Sequence, residues 1–318
     1  MTGKEVLDKA RVSFFCREEQ KPGPVEQSLT VPWNGMKKQN NPQEVTAEIL
    51  HWQPSSPPKR RIDHFAREEP LEIRVDTRPV SVTMRTPGQD AELAAGFLLS
   101  EGLVKRREDI LRIQPSARNR AHNVVDVFLS PDLRVNFARL TRHVFASSSC
   151  GLCGKATIEA VHQHFKPVRS KLSLAPETLF QLPGRMRSRQ ATFARTGGLH
   201  AAAVFDCEGN LDVLREDVGR HNAVDKVIGH GLLEDKLPFD RHILMVSGRA
   251  SFEIMQKALA ARIPIVCAVS APSSLAVEFA RESGQTLVGF LRGESFNVYS
   301  HSDRLPHSEA RRNAKKSG

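Results

Sequence analysis

The stretch HILMVSGRASFEIMQKALAARIPIVCAVSAPSSLAVEFARE, from His242 to Glu282, alternates two kinds of pattern. His242–Val246 and Ile265–Val269 are short apolar runs, the form taken by strands with little exposure to water. Phe252–Ala261 and Ser274–Glu282 are longer and read as helices. Pro264 stops the first helix just before the second strand. Strand and helix in alternation argue an α/β layered domain.

The pattern extends outward from there. Upstream, Ala201–Asp206 and Leu211–Leu214 flank a Glu208-Gly-Asn210 turn and form a hairpin, and Gly219–Leu233 reads as a helix. Downstream, Thr286–Tyr299 is a stranded segment. In the first half Leu71, Ile73 and Val75 alternate with polar residues, Asp76–Pro79 turns the chain, and Val80, Val82 and Met84 alternate again. Gln89–Leu103 follows as a helix built on Leu93, Phe97 and Leu98, then strands at Val124–Leu129 and Leu133–Phe137. Residues 1–66 hold little periodicity and several Pro-rich and polar runs, and are expected to be a mobile extension. The expected division is therefore an extension (1–66), a small α+β domain (67–140), an α/β domain with a cysteine pair (141–302) and a basic tail (303–318).

The chain of 318 residues carries a formal charge of +10, and its two ends hold more than half of that excess. No helix-turn-helix, zinc-finger or aromatic RNA-binding signature accompanies the charge, so nucleic acid is not the indicated partner. No apolar run approaches the ~20 residues of a membrane helix. With no visible secretory signal, a cytoplasmic protein with no membrane association is expected. Five cysteines in such a chain do not suggest a disulfide framework, which fits a reducing compartment.

Two of those cysteines stand close together. Ser147-Ser-Ser-Cys150-Gly-Leu-Cys153-Gly154 leads into Lys155–Val161, a helix candidate. Cysteines at the start of a helix face unpaired N–H groups and the positive dipole end, and Lys155 adds charge; all three favour the thiolate. Three readings compete. Structural zinc wants four ligands, and no second Cys pair is present, although His162 and His164 lie nearby. A dithiol oxidoreductase uses the same spacing, and persulfide transfer needs the same activated thiolate. Spacing alone does not separate the last two. Cys207 and Cys267 are expected as small core residues in strands, and Cys16 lies in the extension.

Three more segments combine unusual residues: Gly197–His200, Arg215–Lys226 with His221, and Ser247-Gly-Arg249 after a strand, where an anion would suit a helix start. Taken singly, His221 reads as structural and Arg220 as pairing with Glu216 or Asp217. Together with Cys150–Gly154, the segments Gly197–His200, Arg215–Lys226, Ser247–Met255, Ala268–Ser274 and Gly289–Ser300 resemble the FdhD/NarQ family of formate dehydrogenase accessory sulfurtransferases. The resemblance runs from about Glu68 to His301.

It implies a cytidine-deaminase-like α/β fold, and a homodimer. It also implies a function: sulfur is accepted from a cysteine desulfurase and passed to the molybdenum bis(molybdopterin guanine dinucleotide) cofactor of formate dehydrogenase. Cys150 matches the persulfide carrier and Cys153 a supporting cysteine. Phe290, Leu291, Arg292, Gly293, Glu294 and Ser295 match the cofactor-binding segment, and no tightly bound metal of the protein's own is implied. Arg292 suits a phosphate or pterin oxygen, Gly293 close approach, and Glu294 a guanine edge. Deaminase chemistry itself is not indicated: Ser149 rather than Pro precedes Cys150, and the single His-x-Glu, His307-Ser-Glu309, lies in the basic tail, outside the resemblance. The alternative is a zinc-stabilised or dithiol redox protein that binds an anionic, nucleotide-like ligand.

Overall fold

A computed structural model describes residues 37–38, 41–116, 123–133 and 165–306. Near its start, β1 (Lys37–Lys38), β2 (Glu44–Gln53) and β3 (Ser56–Ala66) form an antiparallel sheet, with Glu44 opposite Ala66 and Gln53 opposite Ser56. This hairpin corrects the expectation of an unpatterned stretch. Its inward residues include Glu44 and Thr46, both buried, so no apolar alternation advertises it. Pro57 and Pro58 fall in β3, an edge strand, where a missing N–H is tolerated.

A second sheet has the order β5-β4-β7-β6, from β4 (Glu69–Val75), β5 (Arg78–Arg85), β6 (Ile110–Pro115) and β7 (Val124–Leu129). The expected hairpin is there, closed by Asp76 and Thr77, both with positive φ (47° and 67°), as a tight two-residue turn demands. Its far strand differs in register. Ile73 pairs Ser81 but Arg74 pairs Pro79, so Val80 is an extra, bulged residue. That one-residue slip sends Val80 into the core and turns Val82 and Met84 to solvent, 51% and 48% exposed. After this sheet's first hairpin, α1 (Asp90–Ser100) carries Leu93 and Leu98 into the core. Of the strand expected at Leu133–Phe137, Leu133 is irregular and the remainder lies outside the described residues.

The second half opens with α2 (Pro176–Arg189) and α3 (Ala191–Thr196). Then come β8 (His200–Phe205), β9 (Leu211–Asp217), α4 (Arg220–Leu233), β10 (Ile243–Val246), α5 (Phe252–Ala260), β11 (Ile265–Ala268), α6 (Ser274–Glu282), β12 (Thr286–Arg292) and β13 (Ser295–Ser300). The strands build one sheet in the order β13-β12-β11-β10-β8-β9, with β10, β11 and β12 mutually parallel. Alternate residues feed two cores. Ala202, Val204, Leu244, Val246 and Val266 pack with α4, α5 and α1, while Ala203, Phe205, Ile243, Met245 and Cys267 pack against Leu179, Leu182 and Met186 of α2. A sheet covered on both faces is the α/β layering the alternation predicts.

Helices α1 and α4 cross at backbone contact. A Cβ on Gly229 would sit 1.8 Å from the Glu92 carbonyl oxygen, so only glycine permits the approach. Polar groups pin the same seam. Arg215 grips Glu92 through two nitrogens at 2.5 and 2.6 Å. Lys257 donates to both oxygens of Asp225 at 2.9 and 2.8 Å, and to Ser100 Oγ at 3.0 Å. Burial pulls the Lys257 ammonium down, but the Asp225 charge outweighs it and keeps Lys257 above its ordinary value, while burial pushes the Asp225 carboxyl up.

Candidate functional site

Because β10, β11 and β12 run parallel, their carboxyl ends share one edge of the sheet, the edge where open α/β sheets receive ligands. β8 runs the other way and brings its first residue, His200, to that edge beside Asp217 at the end of β9. The loop after β10 is tied to β8: Ser247 Oγ accepts from the Ala201 N–H at 2.9 Å. Gly248 lies so near His200 that a Cβ there would meet the ring Nδ1 at 3.3 Å. The loop after β11 joins through a bridge between Ala250 and Pro272. At the end of β12, Phe290 N–H donates to the Ser270 carbonyl at 3.2 Å, and Arg292 Nε donates to the Val269 carbonyl at 2.7 Å.

Two helices also start here. The N-caps of α4 and α5, Gly219 and Ser251, place no side chain on the first-turn N–H groups. Those donors and the positive dipole ends remain for an anion. His221, in the first turn of α4, sets Nε2 2.8 Å from Glu253 Oε2 and 3.2 Å from Ser251 Oγ. Hydrogen bonding to His221 holds the Glu253 carboxyl below the usual range. His200 is half-buried; burial and the charges of Arg220 and His221 push it below 6.5, which keeps its ring neutral near pH 7.

The pairing expected for Arg220 does not form. Glu216 is occupied by the Thr192 and Phe193 N–H groups at the start of α3, at 3.0 and 2.8 Å. Asp217 is fully buried and holds Lys226 Nζ at 2.7 Å, together with the N–H groups of Thr86 and Gly219. Arg220 Nε is consequently buried with no hydrogen-bond partner among the described residues. Arg249, on the loop after β10, is exposed.

Within the segment 290–295, Phe290 is 39% exposed in a left-handed conformation (φ 53°), and the Arg292 guanidinium lies 5.7 Å from its ring centre. Gly293 also has φ 53° and open space around it, while Glu294 and Ser295 are exposed. Leu291 differs: it is fully buried in the core against α2 and offers no side chain to a ligand. Cys150, Cys153, Lys155, His162 and His164 lie outside the described residues. Cys267 is buried, and burial pushes its thiol far up, so it is an inert core residue. Cys207 lies in the β8–β9 turn rather than a strand, half-buried. Among the described residues no group of three or more His, Cys, Asp or Glu is placed to hold a metal ion. Nor is any helix among them long and apolar enough to cross a membrane.

The part of Glu253 is not legible in the sequence, where it reads as one acidic residue in a helical first turn. Only the packing of α4 against α5 sets it on His221.

Cationic side chains, open helix starts and an aromatic face lie together at the carboxyl edge of a layered α/β protein, an arrangement whose chemistry suits an anion. The family to which it belongs is equally definite. Residues 66–306 match the model of the FdhD/NarQ family, and the chain is a member of that family. It is 52% identical over 255 residues to the sulfur carrier protein FdhD of Mycobacterium tuberculosis, covering 77% of this chain and 92% of that one. The Sulfurisphaera tokodaii protein of the same name is 45% identical over 246 residues, covering 76% and 92%. A solved structure from Desulfotalea psychrophila, assigned as a formate dehydrogenase accessory protein, superposes with a TM-score of 0.67 at 25% identity. That match covers 83% of this chain and all of the other.

Proposed function

We propose that this protein is a sulfur carrier that takes persulfide sulfur from a cysteine desulfurase. It delivers that sulfur to the molybdenum bis(molybdopterin guanine dinucleotide) cofactor destined for formate dehydrogenase. The observation that carries this reading is the carboxyl-edge assembly in a chain whose family relatives are sulfur carriers. A dinucleotide substrate brings pyrophosphates and flat ring systems. Arg220, whose buried Nε has no partner among the described residues, Arg249 and the open starts of α4 and α5 suit the former. Phe290 and Arg292 suit the latter.

In the chemistry we propose, the Cys150 thiolate attacks the outer sulfur of the desulfurase persulfide. The donor's S–S bond breaks, its cysteine leaves as thiolate, and Cys150 becomes the persulfide. Attack by Cys153 on the inner sulfur then forms a Cys150–Cys153 disulfide and releases the outer sulfur as hydrosulfide for the molybdenum. Reduction of the disulfide by a cellular dithiol resets the carrier. Incubation with a desulfurase and cysteine should add about 32 Da, one sulfur atom, to the peptide holding Cys150. No such adduct, or full maturation of formate dehydrogenase by Cys150→Ala, would overturn the assignment. Retained delivery by Cys153→Ala would keep the carrier but remove the disulfide step.

A further inference from the structure

At the opposite edge of the six-stranded sheet, the segments that enter β10 and β11 meet residues 168–173 around a cavity of about 680 Å³. A second cavity of about 270 Å³ adjoins it, and Pro238 and Arg262 line both. The walls of the joined groove carry Arg169, Lys171, Arg241 and Arg262 at one end and Lys105, Arg106 and Arg107 at the other, against only Asp235 and Asp240.

Some of these cations are committed. Arg262 donates to the Lys166 and Pro167 carbonyls, Arg107 to the Ile110 carbonyl, and Arg106 pairs with Asp109. For Arg169, Lys171, Arg241 and Lys105 there is no ion pair among the described residues, and all four are exposed. The groove is preformed. Val168 N–H donates to the Ser283 carbonyl at 2.8 Å, and Ser170 Oγ donates to the Asp240 carbonyl at 3.1 Å. A Cβ on Gly284 would fall 2.4 Å from the Val168 oxygen, so the wall is seated tightly on that turn.

The lining selects among anionic partners. Arg169, Lys171 and Arg241 line the larger cavity and Lys105 the smaller one, so a ligand that meets all four carries several charges along its length. None of the lining residues is aromatic, which removes the stacking platform that single-stranded nucleic acid uses. Leu172, Leu237 and Pro238 line the same walls and offer apolar contact. We propose that this groove docks an acidic polypeptide segment of a partner protein. A partner held there leaves the carboxyl edge of the sheet open, and the inference stands whatever that edge binds.

The test is fluorescence anisotropy of a labelled oligoglutamate peptide with the full chain at fixed moderate salt. Arg169→Ala/Lys171→Ala/Arg241→Ala should weaken binding about tenfold, the scale expected when three exposed charges are removed at once. Arg311→Ala/Arg312→Ala/Lys315→Ala/Lys316→Ala, which removes more charge from the basic tail, should change it less than twofold. Equal weakening in the two variants, weakening in the tail variant alone, or no binding by the parent protein would overturn the proposal. So would tighter binding of a single-stranded DNA oligonucleotide through the same three residues. Unchanged circular dichroism of both variants secures the comparison.

Discussion

His221 Nε2 stands 2.8 Å from Glu253 Oε2, and through that contact the first turn of α4 is fixed against the first turn of α5. Both side chains are partly open to water, so the pair contributes little to stability. Its value is in placement, because the two helix starts frame the carboxyl edge. Glu253→Gln keeps the shape and weakens the charge-assisted bond. It should lower formate dehydrogenase maturation about tenfold in a strain lacking its own carrier, while the melting temperature moves by less than about 2 °C. A parallel fall in both would show the pair to be structural.

The other contact at the start of α4 should behave in the opposite way. Lys226 and Asp217 are both fully buried and 2.7 Å apart, and Lys226 also donates to the Thr86 carbonyl at 2.9 Å. Removing one partner strands a charge in the core, which costs about 3–5 kcal/mol. Asp217→Ala should therefore lower the urea midpoint steeply. It should lower it far more than Glu253→Gln, whose partner His221 stays partly in water.

The contrast between these contacts parallels what the sequence makes legible. Ile243–Val246 and Ile265–Ala268 are buried throughout, and a strand with two covered faces must be apolar at every position, so both are readable. The β2–β3 hairpin is hidden because Glu44 faces inward and spends its charge on Arg195 at 2.7 Å. Helix α2 is hidden because Pro183 and Gly184 interrupt its middle. The burial of Leu179, Leu182 and Met186 outweighs that local cost. Val82 and Met84 read as partners of Val80 on one face, and the bulge that separates them has no sequence signature. The site divides in the same manner: 290–295 is one contiguous segment, whereas the His221–Glu253 contact exists only once α4 and α5 have packed.

Two histidines should make stability depend on pH. Burial pushes His200 below 6.5, and the charges of Arg220 and His221 act in the same direction. Burial likewise pushes down His242, whose Nδ1 has no hydrogen-bond partner among the described residues. Their unfolded forms take up protons at higher pH than their folded forms. The associated stability is thus complete above 6.5 and is lost as pH falls through the depressed folded values. The urea midpoint should decline from about pH 7.5 to about pH 5, and His200→Gln/His242→Gln should flatten that decline. An unchanged slope would show that other groups govern it.

Adjacent residues of β12 should separate folding from ligand handling. Leu291 is completely buried in the core that also holds Val288 and Leu179, and Leu291→Ala should cost about 2–5 kcal/mol through the cavity it leaves. Phe290 is 39% exposed and already held in a left-handed conformation, so little packing is lost in Phe290→Ala. That variant should unfold within about 1 kcal/mol of the parent protein. If the exposed ring and Arg292 receive a flat substrate group, Phe290→Ala should still lower formate dehydrogenase maturation several-fold. The adduct of about 32 Da on Cys150 should meanwhile form as before. Sulfur loading without delivery is the signature of a damaged receiving edge. Loss of loading as well would place Phe290 upstream, at the encounter with the donor, and would remove the edge from the role assigned to it.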